Sequence, residues 1–232
     1  MGNTRAKIAL YDESGIVGKV WKTGNPLIRD IRSFVKGKSI KQAAISQVGK
    51  FPERIKQFLK KEYGLVQLTE KSKVPIRNSY KTPKTLGKDR LAAIIGAYYM
   101  FPKKPCLVID AGTCITYDFL SKAGSYLGGG ISPGMLLRFK AMNDYTASLP
   151  LVPFSKGAKY IGKNTKESLQ SGAQWGFLLE IEGFINKYRE QYPGLQVILT
   201  GGDAEYLSKN LKTKIFVNPN LVLDGLNKIL NR

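Results

Sequence analysis

The sequence predicts an α/β protein made of two related lobes. Each half of the 232-residue chain opens with strand-like segments joined by a tight turn, and each then alternates helical with strand-like segments. A Pro- and Lys-rich break at 101–105 separates the halves, so we predict lobes at 1–105 and 106–232. With 43% hydrophobic residues, the chain has enough apolar side chains for a sizeable core.

The first half predicts a hairpin followed by alternating helices and strands. Its opening turn, Asp12–Gly15, separates two short apolar runs, and helical periodicity recurs later. Segment 71–86, rich in Lys, Pro, Ser and Thr, predicts a long loop, which in compact domains is often functional. The predicted strands are 7–11, 16–21, 43–48 and 65–68, and the helices are 26–35, 52–61 and 89–100.

The second half starts again with an apolar strand that runs into a glycine turn and a second strand. Two prolines interrupt the stretch that precedes a predicted long helix, so 149–162 is expected to be a loop. The predicted strands are 106–110, 115–120, 125–127 and 197–200, and the helices are 135–142, 165–192 and two short ones that close the chain.

Composition restricts the chemistry. The chain contains no histidine, which excludes a histidine general base, Ser-His triads and histidine-ligated zinc, so acid–base work falls to carboxylates. Cys106 and Cys114 form no disulfide framework, and no signal core or membrane-spanning apolar stretch is present. We therefore expect reduced thiols, a cytoplasmic location and no membrane partner.

The formal net charge of +20 is concentrated in the first half. Residues 1–105 contain 23 Lys/Arg against 7 Asp/Glu, and the remainder contains 14 against 10. Such a lobe can concentrate nucleotide phosphates or keep the protein in solution, and it can also attract nucleic acid. We favour the first two explanations and leave nucleic acid as an open alternative.

Segment Gly157–Asn164 has the spacing of a phosphate-binding loop, but Asn164 replaces the Ser or Thr that binds Mg²⁺. That loop normally follows a buried apolar strand, whereas prolines interrupt 149–155. We interpret the match as a decoy. The protein-kinase signatures His-Arg-Asp and Asp-Phe-Gly are also absent, which excludes that class.

The motif Asp110-Ala-Gly-Thr113 indicates phosphate chemistry at the end of an apolar strand. Glycine lets backbone N–H groups approach an anion, Thr113 can donate a hydrogen bond to a phosphoryl oxygen, and Asp110 can hold a cation. Taken alone, the motif is better explained by a strand that ends in a polar hairpin turn.

Two further glycine motifs accompany it. Gly2-Asn3-Thr4 opens the first lobe in a similar strand-turn-strand setting, and Thr200-Gly-Gly-Asp203 joins a strand to a helix, as suits a backbone passing under a nucleoside. A plain strand-to-helix turn is the alternative. Paired glycine–threonine turns resemble those of the acetate and sugar kinase, heat-shock ATPase and actin superfamily. The resemblance implies duplicated actin-like, ribonuclease H-like lobes with a cleft between them.

Six ordered motifs resemble those of the type III pantothenate kinases, also known as Bvg accessory factor proteins, nearly end to end. They are Gly2-Asn3-Thr4-x-x-Lys7, Tyr80 with Gly87-Lys88-Asp89-Arg90, Asp110-x-Gly112-Thr113, Gly129-Gly130-Ile131-Ser132-Pro133-Gly134, Asn164-Thr165 and Thr200-Gly201-Gly202-Asp203. The resemblance implies ATP-dependent phosphorylation of pantothenate to 4'-phosphopantothenate, the first step of coenzyme A biosynthesis, by a homodimer.

The same resemblance implies roles for individual residues. Asp89 would be the catalytic proton acceptor, and Asp110 would bind a monovalent cation, K⁺ or NH₄⁺, beside Mg²⁺ brought with ATP. A carboxylate base suits phosphoryl transfer, although a helix N-terminal ion pair with Arg90 is an alternative role for Asp89. The residues implied around pantothenate are Tyr80, Gly87, Lys88, Asp89, Arg90 and Thr165, and those around ATP are Gly2, Asn3, Thr4, Lys7, Gly112, Thr113, Gly201 and Gly202.

The first motif departs from the family pattern, which begins with Asp two residues before the glycine. Here Met1 directly precedes Gly2. We expect the natural start to lie further upstream. If Met1 is the true start, weak or absent kinase activity is expected, and a non-catalytic regulatory or nucleic-acid-binding role on the same fold becomes the alternative function.

Three glycines, Gly172, Gly176 and Gly183, recur on one face of the long predicted helix. Small residues allow a second helix to approach closely, either within the protomer or across a two-fold axis. Because the resembled family forms homodimers, we expect this face, with Trp175 and Phe184 nearby, at or near the dimer contact.

Overall fold

The structure is a computed structural model that describes residues 6–24, 26–46 and 51–230. The chain divides into two compact units. The first comprises Met1–Pro102, Gly124–Tyr126 and Asn220–Arg232, and the second comprises Lys103–Ala123 and Leu127–Pro219. These units are defined by compactness, whereas the boundary expected at residue 105 was based on the repeated order of elements in the two halves. That boundary stays a prediction.

Helices and strands alternate along both halves, as predicted. The strands are β1 (Ala6–Asp12), β2 (Gly15–Thr23), β3 (Ala43–Ile45), β4 (Leu65–Gln67), β5 (Arg77–Asn78), β6 (Cys106–Ala111), β7 (Cys114–Leu120), β8 (Ser125–Pro133), β9 (Gln196–Gly201) and β10 (Phe216–Val217). The helices are α1 (Ile28–Phe34), α2 (Glu53–Tyr63), α3 (Lys88–Met100), α4 (Met135–Asp144), α5 (Thr165–Gln191), α6 (Ala204–Asn210) and α7 (Leu221–Leu230).

Three strands differ from the prediction. Strand β10 lies between the two closing helices, α6 and α7, where no strand was predicted. The loop expected at 71–86 contains β5, which pairs in parallel with Ser125 and Tyr126 at the start of β8. Strand β8 itself continues to Pro133 instead of ending near 127. The sequence analysis ended this strand too early because glycine is uncommon inside strands. At Gly129, however, a Cβ would overlap the carbonyl oxygen of Tyr117, so the close approach of β8 to β7 requires glycine there.

The first unit is organised around helix α3, in which every residue from Arg90 to Ala97 is buried. Helix α7 packs against it at very close range. A Cβ at Gly225 would overlap the carbonyl oxygen of Ala92, and one at Gly96 would lie 2.6 Å from that of Leu221. This backbone-to-backbone contact holds α3, whose first turn carries Asp89.

The second unit contains strands in the order β10-β9-β6-β7-β8. Strand β6 is antiparallel to β7 and parallel to β9, so the halves of the chain both open with antiparallel pairs, as predicted. The long helix α5 and aromatic residues of β7, among them Tyr117 and Phe119, share the main core cluster. Among the described residues, no helix combines the length and apolar character needed to cross a membrane.

Candidate functional site

The predicted phosphate motif forms a short turn between two buried strands of the second unit. Strand β6 ends at Ala111 and β7 begins at Cys114, which leaves Gly112 and Thr113 as the turn. The Gly112 N–H donates to the Cys114 carbonyl at 3.0 Å, and Thr113 is exposed. Asp110, half-buried, pairs in register with Thr116 of β7 and Thr200 of β9. A hydroxyl and backbone groups thus lie at the end of a rigid strand pair.

The double-glycine turn after β9 packs directly against this turn. Gly201 has a φ of +99°, and a Cβ there would overlap the backbone of Ala111. The Asp203 N–H donates to the Ala111 carbonyl at 3.0 Å, and burial raises the pKa of the Asp203 carboxyl. Gly202 is exposed, with no atom within 4 Å of a Cβ built on it. The structure therefore brings Gly201 and Gly202 beside Gly112 and Thr113.

A third turn, at Gly134, completes the cluster, and the sequence motif alone gave it no role. The Gly134 N–H donates to the Thr113 carbonyl at 3.1 Å, and a Cβ would lie 2.6 Å from that oxygen and overlap the Gly112 carbonyl. The signal that could have revealed it is the Pro133-Gly134 pair between a strand and a helix. We define the phosphate turn as residues 110–113, backed by Gly134 and Gly201.

The predicted acceptor residues of the first unit surround the N-terminus of α3. Gly87 is the N-cap, and a Cβ on it would lie 2.6 Å from Asp89 Oδ1, so glycine leaves room for this carboxylate. Asp89 Oδ1 accepts from the Arg90 backbone N–H at 2.8 Å, and the Arg90 guanidinium lies 5.7 Å from the centre of the Tyr80 ring. The structure therefore brings Tyr80, Gly87, Asp89 and Arg90 together.

Tyr80 makes two further contacts, one through its backbone and one through its ring. Its backbone N–H donates to Asn78 Oδ1 at 3.0 Å, and its ring stacks on that of Tyr126, with centroids 6.0 Å apart and planes 12° apart. Tyr126 is fully buried. Sequence reasoning missed this support because the β5–β8 pairing that brings Tyr126 to Tyr80 links distant segments.

Other predicted site residues occupy separate positions. Lys88 Nζ lies 3.7 Å from Glu70 and donates to the Pro83 carbonyl at 3.3 Å, so it fastens the preceding loop to α3. Thr165 is the exposed first residue of α5, in the second unit, after Asn164, whose side chain caps the helix by accepting from the Glu167 N–H at 2.9 Å. The described residues 134–156 contain no strand, so Gly157 lacks the directly preceding strand that a phosphate-binding loop normally follows.

The N-terminal motif is described only in part. Gly2, Asn3 and Thr4 lie outside the described residues, whereas Lys7 lies in β1 and pairs in register with Lys22. Across the part of the chain that the structure describes, no three His, Cys, Asp or Glu side chains cluster as metal ligands.

Comparison with known families gives a match over most of the chain. The family described as type III pantothenate kinase matches residues 1–187. Proteins named type III pantothenate kinase are similar over nearly their full length: one from Flavobacterium johnsoniae is 41% identical, covering 98% of this chain and 94% of the relative. Another, from Bacteroides fragilis strain YCH46, is 40% identical, covering 100% and 95%.

Solved structures support the fold. A Campylobacter jejuni protein described as a Baf family transcriptional activator has a TM-score of 0.63 at 22% identity, covering 99% of this chain and 94% of that chain. The ethanolamine utilization protein EutJ from Carboxydothermus hydrogenoformans has a TM-score of 0.52 at 12% identity, covering 99% and 87%. At these identities the likeness concerns the fold alone, and the predicted class, α/β with two actin-like lobes, is confirmed.

The packing of the double-glycine turn predicts opposite effects for two neighbouring substitutions. Gly201→Ala places a Cβ against the Ala111 backbone at a positive φ, so we expect the free energy of unfolding to fall by about 1–3 kcal/mol. Gly202→Ala meets open space and is the matched control, expected to be neutral or stabilising by up to about 1 kcal/mol. Urea unfolding measures both, and equal stabilities for the two variants would contradict the packing argument.

Proposed function

The chain belongs to the type III pantothenate kinase family, and we propose from this that it transfers the γ-phosphoryl group of ATP to the 4'-hydroxyl of pantothenate. The reaction is the first step of coenzyme A biosynthesis. The observation that carries the proposal is similarity to kinases of this name over almost the whole chain. A non-catalytic role gains no support from these relatives.

The phosphate turn is the part of the second unit best suited to ATP. Thr113 is exposed and its hydroxyl can donate to a phosphoryl oxygen, and the glycines at 112, 201 and 202 carry no side chain that would keep the backbone away from a phosphate. Phosphoryl transfer depends mainly on positioning and on stabilising charge, which rigid strand ends can supply. The ATP roles of Gly2, Asn3, Thr4 and Lys7 remain predictions.

Asp89 is the residue that we assign as proton acceptor. The 4'-oxygen of pantothenate attacks the γ-phosphorus, the bond from that phosphorus to the β,γ-bridging oxygen breaks, and ADP leaves. The hydroxyl proton passes to Asp89. Since Oδ1 accepts from the Arg90 N–H, we assign this proton to Oδ2. The buried neighbours Arg90 and Tyr126 support Tyr80, which we place against pantothenate together with Gly87. The roles of Lys88 and Thr165 in binding pantothenate remain predictions.

Cations complete the proposed site. We place Mg²⁺ on the ATP phosphates, where it would offset their charge. Asp110, the first residue of the phosphate turn, supplies carboxylate oxygens near the end of β6, and such oxygens suit a monovalent cation, K⁺ or NH₄⁺. The net charge of +20 also fits the reactants, because ATP and pantothenate are anions.

We further propose a homodimer in the cytoplasm. Gly172, Gly176 and Gly183 support it, because a Cβ at each would meet nothing within 4 Å inside the protomer, and Leu179 on the same helical face is 53% exposed. Trp175 and Phe184 are instead packed within the second unit, against Tyr160 and Tyr117. The contact is therefore expected through the glycine face and not through these two rings.

Removing the proposed base gives the sharpest test of the acceptor site. Asp89→Asn keeps the size of the side chain, so we expect kcat to fall by about 10²–10⁴-fold with MgATP binding and thermal stability retained. Asp144→Asn, an exposed substitution of the same type, is the control. Pantothenate-dependent ADP release and phosphorus NMR of the product provide the measurement.

Two results would be decisive against these assignments. A wild-type chain that releases no pantothenate-dependent ADP would refute the proposed reaction. Turnover by Asp89→Asn within about threefold of wild type would refute Asp89 as the base while leaving the reaction in place.

The cation proposal predicts dependence on the monovalent ion. In tetramethylammonium buffer with Mg²⁺ present, we expect low activity that K⁺ or NH₄⁺ restores and Na⁺ restores poorly, since the larger ions better match a site of carboxylate and phosphate oxygens. The rate should be titrated with each chloride salt, and Asp110→Asn should abolish the response. Equal rates in all the salts would remove the assignment.

A further inference from the structure

A polar cluster in the second unit is connected to the phosphate turn through Pro133 and Gly134 and has no role in the proposed chemistry. Its centre is Glu180 of α5, whose carboxylate is contacted by Arg138 of α4, Tyr117 of β7 and Ser132 of β8. Tyr117 donates to Oε1 at 2.9 Å and Ser132 donates to Oε2 at 3.2 Å. Arg138 forms an ion pair with Oε2 through Nη2. One carboxylate therefore joins four elements.

The aromatic neighbours fix the geometry of this cluster. The Arg138 guanidinium lies 4.9 Å from the centre of the Phe177 ring, and the Tyr117 ring stacks on Phe184 with centroids 4.0 Å apart. Burial, with the bond to Glu180, raises the pKa of Tyr117, so its hydroxyl remains a donor at neutral pH. The Arg138 and Glu180 side chains are 18% and 23% exposed, so this ion pair is largely buried.

Arg138 connects this cluster to the residues that precede Gly134 and so to the phosphate turn. Its Nε donates to the Pro133 carbonyl at 3.0 Å, and its Nη2 donates to Ser132 Oγ at 3.3 Å. Pro133 directly precedes Gly134, whose N–H holds the Thr113 carbonyl and whose backbone presses on Gly112. A continuous path of hydrogen bonds and close contacts thus runs from Glu180 to Thr113.

We propose that Arg138 and Glu180 are positioning residues that hold the phosphate turn in the geometry that binds the ATP phosphates. Neither side chain needs to touch the nucleotide, because each acts through Pro133 and Gly134. The proposal rests on the proposed function, which assigns ATP to this turn. Displacement of reacting groups by about 1 Å costs on the order of a hundredfold in rate, so a small shift of the turn is sufficient for a measurable effect.

The test compares Glu180→Gln and Arg138→Lys with Glu190→Gln, an α5 control in which the lost pair, with Lys187, is exposed. Arg138→Lys keeps the charge but removes the planar fork that reaches Pro133 and Glu180 together. MgATP affinity is measured by calorimetry without acceptor, followed by both KM values, kcat and Tm. We expect about a tenfold weaker Kd and a higher KM for MgATP, with the KM for pantothenate nearly unchanged even where Tm falls.

Two outcomes would overturn the proposal. In the first, both variants bind MgATP within about twofold of the control. In the second, Tm, MgATP affinity and pantothenate affinity all fall in parallel, as a purely structural role predicts. If Glu180→Gln fails to fold, Arg138→Lys decides alone. A wild-type chain that binds MgATP but leaves pantothenate unmodified would refute the proposed function and still allow this test.

Discussion

The backbone carbonyl of Ala111 is the point on which the candidate site of the second unit depends. It accepts the Asp203 N–H and touches the position where a side chain on Gly201 would begin, while the next two residues are pressed by Gly134. Three turns can approach this closely only if glycine stands at each contact. Because all three contacts involve backbone atoms, the exposed residues Thr113 and Gly202 are held at the ends of rigid strands, as suits phosphate binding.

The acceptor residues of the first unit are held by a different means, namely side-chain packing. Helix α3 is buried along most of its length and fixed by the glycine contacts with α7, so its first turn holds Asp89 in a defined place. The Tyr80 ring contacts both the Arg90 guanidinium and the Tyr126 ring, and its backbone N–H donates to the Asn78 side chain. Substitutions at these supports are therefore expected to alter acceptor binding more than nucleotide binding.

Local signals made much of this predictable from sequence. Gly112, Gly201 and Asp89 were recognisable because glycine turns and an acidic first helical turn are signalled by residues close together in the sequence. Strand β5, the full length of β8 and the stacking of Tyr126 on Tyr80 were not, since each depends on pairing between distant segments. The Arg138–Glu180 pair was hidden for the same reason: it joins residues 42 positions apart. The catalytic and binding roles of the individual residues remain predictions.

Amide hydrogen exchange with each ligand alone tests the central claim most directly, namely that the phosphate turn binds ATP and the start of α3 binds the acceptor. We predict that MgATP slows exchange in segments 110–114, 132–135 and 200–204, and that pantothenate slows it in segment 78–90. Protection by MgATP that leaves the three glycine turns unchanged would contradict this assignment.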